Sequence, residues 1–202
     1  MHRIITIGRE FGSGGREVGK RLAELLQVSY YDKEIVTRLA QRTQLAEEYI
    51  NQLSEKGQSP INYFPITTGR SFYSQTNPSL LQSANLHSEQ SKLLKELAEK
   101  SDCIIVGRCA NYVLREFKPI RIFIYAEMDL KIQRCREKAT EQENMTDKVL
   151  KQHILEVDKD RASYFKFVTG QKWDEKTNYD ICINTTYCPV KEAAQIIAQL
   201  VR

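Results

Sequence analysis

The chain has 202 residues, 41% of them apolar and 28% charged, and 30 basic side chains stand against 26 acidic ones for a net charge of +4. That length and balance suit one globular domain and exclude a largely disordered chain. No stretch approaches the ~20 consecutive apolar residues that span a bilayer, and no Lys/Arg block makes a broad nucleic-acid footprint, so neither membrane nor nucleic acid is an expected partner. Ile4-Ile5-Thr6-Ile7 is a β-branched run ending at Gly8 and reads as a buried strand. With Met1-His2-Arg3 before it, this run is too short for a secretory signal, and the expected compartment is the cytoplasm. A glycine-rich turn follows, and then Val18, Leu22, Leu25 and Leu26 recur at helical spacing. Val28 to Tyr31 reads as a second short strand, and 34–54 as one or two amphipathic helices with Leu45, Tyr49, Ile50 and Leu53 on one face.

Residues 56–79 hold Gly57, Pro60, Pro65, Gly69 and Pro78 among polar side chains, which is loop chemistry. A loop that long in a small domain is usually functional or mobile. Tyr63, Phe64, Phe72 and Tyr73 within it would be costly to expose, so the segment could also be a partner-binding arm. Helical pattern resumes around 80–100 with Leu86, Leu93, Leu94 and Leu97. Cys103 to Val106 is a fully apolar strand ending at Gly107-Arg108, and Ile120 to Tyr125 is another. Met128, Ile132, Cys135 and Ala139 return to helical spacing, 140–148 is polar, and 147–166 reads as a long helix. Asp180 to Asn184 is a last strand, and Pro189 marks the first turn of a helix over 190–201.

Strands alternate with helices throughout, which predicts an α/β fold: a doubly wound parallel sheet of about five strands with helices on both faces. Ligands of such folds bind beyond the carboxyl ends of the strands. The five cysteines are odd in number and form no C-x-x-C pair, so buried reduced thiols are expected rather than disulfides or a zinc site. No histidine lies near Cys109 in sequence, so it reads as a packed residue rather than a nucleophile. His2, His87 and His153 have no ligand spacing, and no protein metal site is expected. Trp173 and Tyr164, Phe165 and Phe167 read as packing of the long helix.

The first turn reads Gly8-Arg9-Glu10-Phe11-Gly12-Ser13-Gly14-Gly15-Arg16-Glu17. Glycines let backbone N–H groups converge on an anion, and the following helix adds its positive end. Between a strand and a helix, this is the setting of a phosphate-binding loop; the alternative is a tight turn needing positive φ. The loop departs from G-x-x-x-x-G-K-[ST]. It has one residue more between Gly8 and Gly14, Gly15 stands in the lysine position, and Arg16 stands in that of the magnesium-binding hydroxyl. Arg16 could carry the cationic role, as could Lys20 one turn on. Magnesium would travel on nucleotide phosphates. A dinucleotide loop is a poorer match, because the third glycine of G-x-G-x-x-G is missing. Asp32 could cap the helix after it or orient a ligand.

With the glycine loop, Tyr30-Tyr31-Asp32-Lys33-Glu34, Val106-Gly107-Arg108-Cys109-Ala110-Asn111-Tyr112 and Asn178 to Thr185 in view, the chain resembles the cytidylate kinase-like family of P-loop proteins over nearly its whole length. A loop without lysine is typical of that group. The resemblance implies transfer of a phosphoryl group from ATP, with Mg2+, to a nucleoside monophosphate, cytidylate (CMP or dCMP) first. It implies phosphate binding by Gly8, Gly12, Ser13, Gly14, Gly15, Arg16 and Glu17. It implies acceptor binding by Asp32, Arg108, Asp158 and Arg161. Arg16, Arg134 and Arg161 are the implied catalytic residues, with Arg134 and Arg136 opening a lid over 127–170, and 33–100 forms a helical insertion on the substrate side of a single domain. Two alternatives stay open: a non-catalytic nucleotide-binding module, motivated by the missing lysine, and a kinase for a non-nucleotide small-molecule acceptor.

Overall fold

The computed structural model describes residues 2–55, 78–138 and 146–201. Their centre is a five-stranded sheet of β1 (Ile4–Arg9), β2 (Ser29–Tyr31), β3 (Cys103–Val106), β4 (Ile120–Tyr125) and β5 (Ile181–Asn184). The spatial order is β2-β3-β1-β4-β5, and every neighbouring pair is parallel. The parallel α/β architecture expected from the alternation is therefore the observed one. β3 is buried at all four positions, because helices cover both faces of the sheet.

α1 (Gly15–Leu26) and α8 (Val190–Leu200) lie on one face, with Val18, Leu22, Ala194 and Ile197 packed on Ile5, Ile7, Ile104, Ile122 and Ile124. Leu25, expected on the same apolar face of α1, is 43% exposed, because that side of the helix has passed the edge of the core. The other face is covered by α2 (Lys33–Thr43), α3 (Glu47–Glu55), α4 (Pro78–Lys100), α5 (Ala110–Val113) and α7 (Asp147–Thr169). Ile35, Leu39, Ile50, Leu93, Leu94 and Phe165 converge there on Ile4, Cys103 and Ile105. Each fully buried Leu or Ile of these clusters contributes about 1.5–3 kcal/mol of transfer free energy. α6 (Met128–Lys138) lies between β4 and the described start of α7 in sequence.

Several boundaries differ from expectation for local reasons. Pro78 opens α4 instead of ending a loop, since proline suits the first helical position. α7 runs on to Thr169 and stops where Gly170 turns left-handed at φ 73°. Pro189 is the residue before α8 rather than its first, with extended ψ of 148°. Asp180 lies outside β5, where its carboxylate takes Arg121 at 2.6 and 3.1 Å. Phe167 is 58% exposed, whereas Tyr164, Phe165 and Trp173 join the core. Residues 56–77, with Tyr63, Phe64, Phe72 and Tyr73, and residues 139–145, which hold Ala139 and most of the polar stretch 140–148, lie outside the described residues. No helix among the described residues is long and apolar enough to cross a membrane.

Candidate functional site

β1 ends between β3 and β4, so the segments leaving all three strands rise together. Glu10 N–H donates to Ile124 O at 3.0 Å and Gly107 N–H to Ile7 O at 2.9 Å, which carries the sheet's bonding into both turns. Gly8 lies under two aromatic rings: a Cβ there would stand 2.9 Å from Phe123 and 3.1 Å from Tyr179. Gly14, at φ 82°, precedes α1 and supplies no side-chain cap. The first N–H groups of α1 have no carbonyl a turn earlier to bond, and they open onto the cleft above the loop. Ser13 is fully buried and turned away from that cleft. Its hydroxyl donates to Glu10 O at 2.8 Å, and its carbonyl accepts from Arg134 Nη1 at 2.9 Å and Thr185 Oγ1 at 2.7 Å.

The arginines divide between tying the loop down and edging the cleft. Arg16 Nε stands 2.8 Å from Asp32 Oδ2, joining the first turn of α1 to the end of β2. Asp32 holds the N-cap position of α2 but makes no side-chain cap bond; its carboxylate goes to Arg16 instead. Tyr30 donates its hydroxyl to Arg16 O at 3.2 Å. Burial, and then the Asp32 charge, push that phenol up to about 12. Arg134, from α6, also donates to Thr185 Oγ1 at 2.9 Å. Burial lowers its guanidinium from the ordinary value, yet arginine stays charged at neutral pH. Arg136 pairs with Asp147 at the start of α7.

α7 brings Asp158 and Arg161 to the loop. Asp158 Oδ1 accepts the Phe11 N–H at 2.7 Å, and Asp158 Oδ2 lies 3.1 Å from Lys131 Nζ. Lys131 also reaches Glu10 Oε2 at 2.6 Å and is only 5% exposed. Arg161 Nη1 donates to Arg9 O at 3.2 Å, stands 3.6 Å from Asp158 Oδ1, and sits 5.7 Å from the Phe11 ring centre. Glu10, Lys131, Asp158 and Arg161 thus form an alternating chain of charge along the outer side of the loop. Lys131 was not among the residues singled out from sequence. It sits in a run of charged residues that looks solvated, and its burial follows from Gly12. At φ 75° and without a Cβ, Gly12 lets α6 close to where a Cβ would be 3.1 Å from Lys131 Cβ.

At the end of β3, Gly107, Arg108 and Cys109 are all left-handed, with φ of 76°, 58° and 54°. Non-glycine residues held there cost about 1–3 kcal/mol each, and such strain concentrates at working sites. Arg108 Nη2 donates to Asn51 Oδ1 at 3.1 Å, and its carbonyl accepts from Gln90 Nε2 at 3.3 Å. Burial pushes the Cys109 thiol up to about 12, which keeps it protonated and unreactive.

Two spaces result. A cleft of about 520 Å3 opens over the loop, lined by Gly12, Gly14, Gly15, Arg16, Glu17, Arg134 and Arg161. That size falls in the range of small-ligand sites. Behind it a cavity of about 40 Å3 is lined by Gly8, Arg9, Gly107, Arg108, Arg161, Tyr164, Trp173 and Tyr179. Most of the residues expected to bind phosphate, with Arg134 and Arg161, therefore share one space, while Arg108 shares the second with Arg161. Asp32 joins the first only through Arg16, Ser13 braces the loop from beneath, and Asp158 holds the loop backbone.

The model of the cytidylate kinase-like family matches residues 4–187. A crystal structure of an uncharacterized protein from Eubacterium ventriosum is similar at 27% identity and a TM-score of 0.69, over 99% of this chain and 98% of that one. Shikimate kinase from Acinetobacter baumannii, in complex with shikimate, is similar at 17% identity and a TM-score of 0.55, over 100% of this chain and 93% of that one. Shikimate kinase from Bacteroides thetaiotaomicron is similar at 17% identity and a TM-score of 0.57, over 98% of both chains. At that identity the two kinases show a shared fold. No protein of curated function matches the sequence.

Proposed function

The chain belongs to the cytidylate kinase-like family, and from that premise we propose that it transfers the γ-phosphoryl group of ATP to a nucleoside monophosphate, with cytidylate (CMP or dCMP) as the acceptor. The observation that carries this reading is the cleft itself. An uncapped helix N-terminus follows a glycine loop onto a space edged by Arg16, Arg134 and Arg161. Phosphoryl transfer needs positioned positive charge more than a protein nucleophile, and this space supplies charge without one. In this reading the triphosphate lies over the loop, and the acceptor phosphate lies toward Arg108 and Arg161. In the same reading the described parts of 127–170 belong to the lid and those of 33–100 to the acceptor side. Magnesium supplies charge neutralisation on the phosphates and takes few protein ligands. Both carboxylates lining the cleft already have cationic partners, Glu10 in Lys131 and Glu17 in Arg21 at 2.8 Å, so the ion would be held by the phosphates and not by a dedicated carboxylate.

A coupled assay of ADP formation from MgATP tests the proposal across CMP, dCMP, UMP, AMP, GMP and non-nucleotide acceptors, shikimate among them. CMP and dCMP are expected to give acceptor-dependent ADP release. Release with a non-nucleotide acceptor alone would move the acceptor class. ATP binding with no release under any acceptor would leave a nucleotide-binding module, the reading that Gly15 in the lysine position favours.

A further inference from the structure

The packing beneath α1 explains the missing lysine. Gly15 opens the helix directly over Arg9: a Cβ on Gly15 would stand 2.5 Å from Arg9 Cβ and 3.1 Å from Arg9 Cγ. Those are the near atoms of a side chain only 7% exposed, so residue 15 has no room for a side chain while Arg9 is in place. Arg9 ends β1 and shares the face of Ile5 and Ile7 through the strand's period of two, so its stem runs under the helix. Its guanidinium reaches the end of β3, where a Cβ on Gly107 would overlap it. Among the described lining residues, Arg9 and Arg161 alone border both the cleft over the loop and the cavity beside Arg108. A phosphoryl group passing from one space to the other crosses that border.

We infer that Arg9 supplies the positive charge that a loop lysine supplies in the standard pattern, reaching the same space from the strand beneath the helix. The inference rests on the function proposed above. In the transfer, a bond forms between the acceptor's phosphate oxygen and the γ-phosphorus. The bond from that phosphorus to the bridging oxygen breaks, and its electron pair leaves with ADP. A phosphomonoester has its second pKa at about 6, so the acceptor enters largely deprotonated and no proton need move. Arg9 takes no part in bonding; its guanidinium offsets charge on the oxygens in flight. Arg16 is the less suited of the two because it is about half exposed, so water screens its charge, whereas Arg9 is 7% exposed.

The experiment exchanges the two positions. Arg9→Gly, Arg9→Lys, Gly15→Lys and the double variant Arg9→Gly/Gly15→Lys are compared with the parent. Calorimetry gives the ratio of ATP to ADP affinity with magnesium, and thermal unfolding reports whether each variant is folded. Arg9→Gly should lose about tenfold of the parent's preference for ATP, the scale of one charge-assisted bond. Arg9→Lys should keep part of that preference, and the double variant should regain it, because removing the arginine stem makes room for the lysine. Gly15→Lys alone should be destabilised. An unchanged preference in folded Arg9→Gly would overturn the inference, as would a loss that neither Arg9→Lys nor the double variant recovers, since packing alone would explain it. A parent chain that binds no ATP would sink the kinase reading itself and this inference with it, a result visible before any variant is made.

Discussion

Lys131 is the residue on which the loop's outer side depends. It places one ammonium between Glu10 and Asp158, at 2.6 and 3.1 Å, with almost no water contact. Removing one partner of a buried charge cluster leaves the others uncompensated, at about 3–5 kcal/mol. Lys131→Met keeps the stem and removes the charge, so it should lower stability by about 3 kcal/mol in urea unfolding; a change under about 0.5 kcal/mol would mean that the cluster is solvated. The sequence did not reveal this lysine, because spacing shows which helix face is apolar and not which neighbour lacks a Cβ. Arg9 was more accessible: continuing the alternation of Ile5 and Ile7 by one step puts it under the helix. Its place among the adjoining glycines gives it the pattern of a loop residue instead. Asp158 and Arg161 stand out only through the family resemblance, and the partner of the carboxylate, a backbone N–H 147 residues away, is not readable from sequence at all.

The elements themselves were largely readable. β1 and β3 are buried, mostly β-branched runs, β4 is buried over Ile122–Ile124, and their ends lie within a residue or two of expectation. Boundaries differ at strand ends, as at Val28 and Asp180, and at helix ends, where a single residue's φ decides the stop, as at Gly170. One contact between elements has a pH consequence. Asp180 joins the approach to β5 to the start of β4 through the Arg121 side chain and the Arg121 N–H at 2.8 Å. The hydrogen bonds to the Arg121 side chain, the largest cause, hold its carboxyl below the usual carboxylate range. A depressed carboxyl stabilises the fold above its unfolded pKa, about 3.9, and that contribution is lost as pH falls through the lower folded value. Asp180→Asn should therefore unfold with a weaker pH dependence below about pH 4 while changing neutral stability by only about 0.5 kcal/mol, since the pair is partly exposed. Acid titration by circular dichroism checks this, and parallel curves for parent and variant would contradict it.

At the scale of the whole molecule, a net charge of +4 is spread over 30 basic and 26 acidic groups, and what matters is where a few arginines go. The parallel order β2-β3-β1-β4-β5 sets β1 at the centre, so one loop meets the end of β3 on one side and α6 and α7 on the other. That topology brings Arg9, Arg16, Arg108, Arg134 and Arg161 together from separate parts of the chain. The fold could be read from alternating strand and helix patterns because those patterns are local. The division of labour among the arginines could not, because it depends on contacts between elements distant in sequence. The proposed function requires that this arrangement move a phosphoryl group instead of only holding a nucleotide. The most direct measurement follows the label from ATP radiolabelled at the γ-phosphate, with magnesium and CMP or dCMP. Label is expected in the nucleoside diphosphate, growing only when acceptor is present; label that stays in ATP or appears only as inorganic phosphate would rule the transfer out.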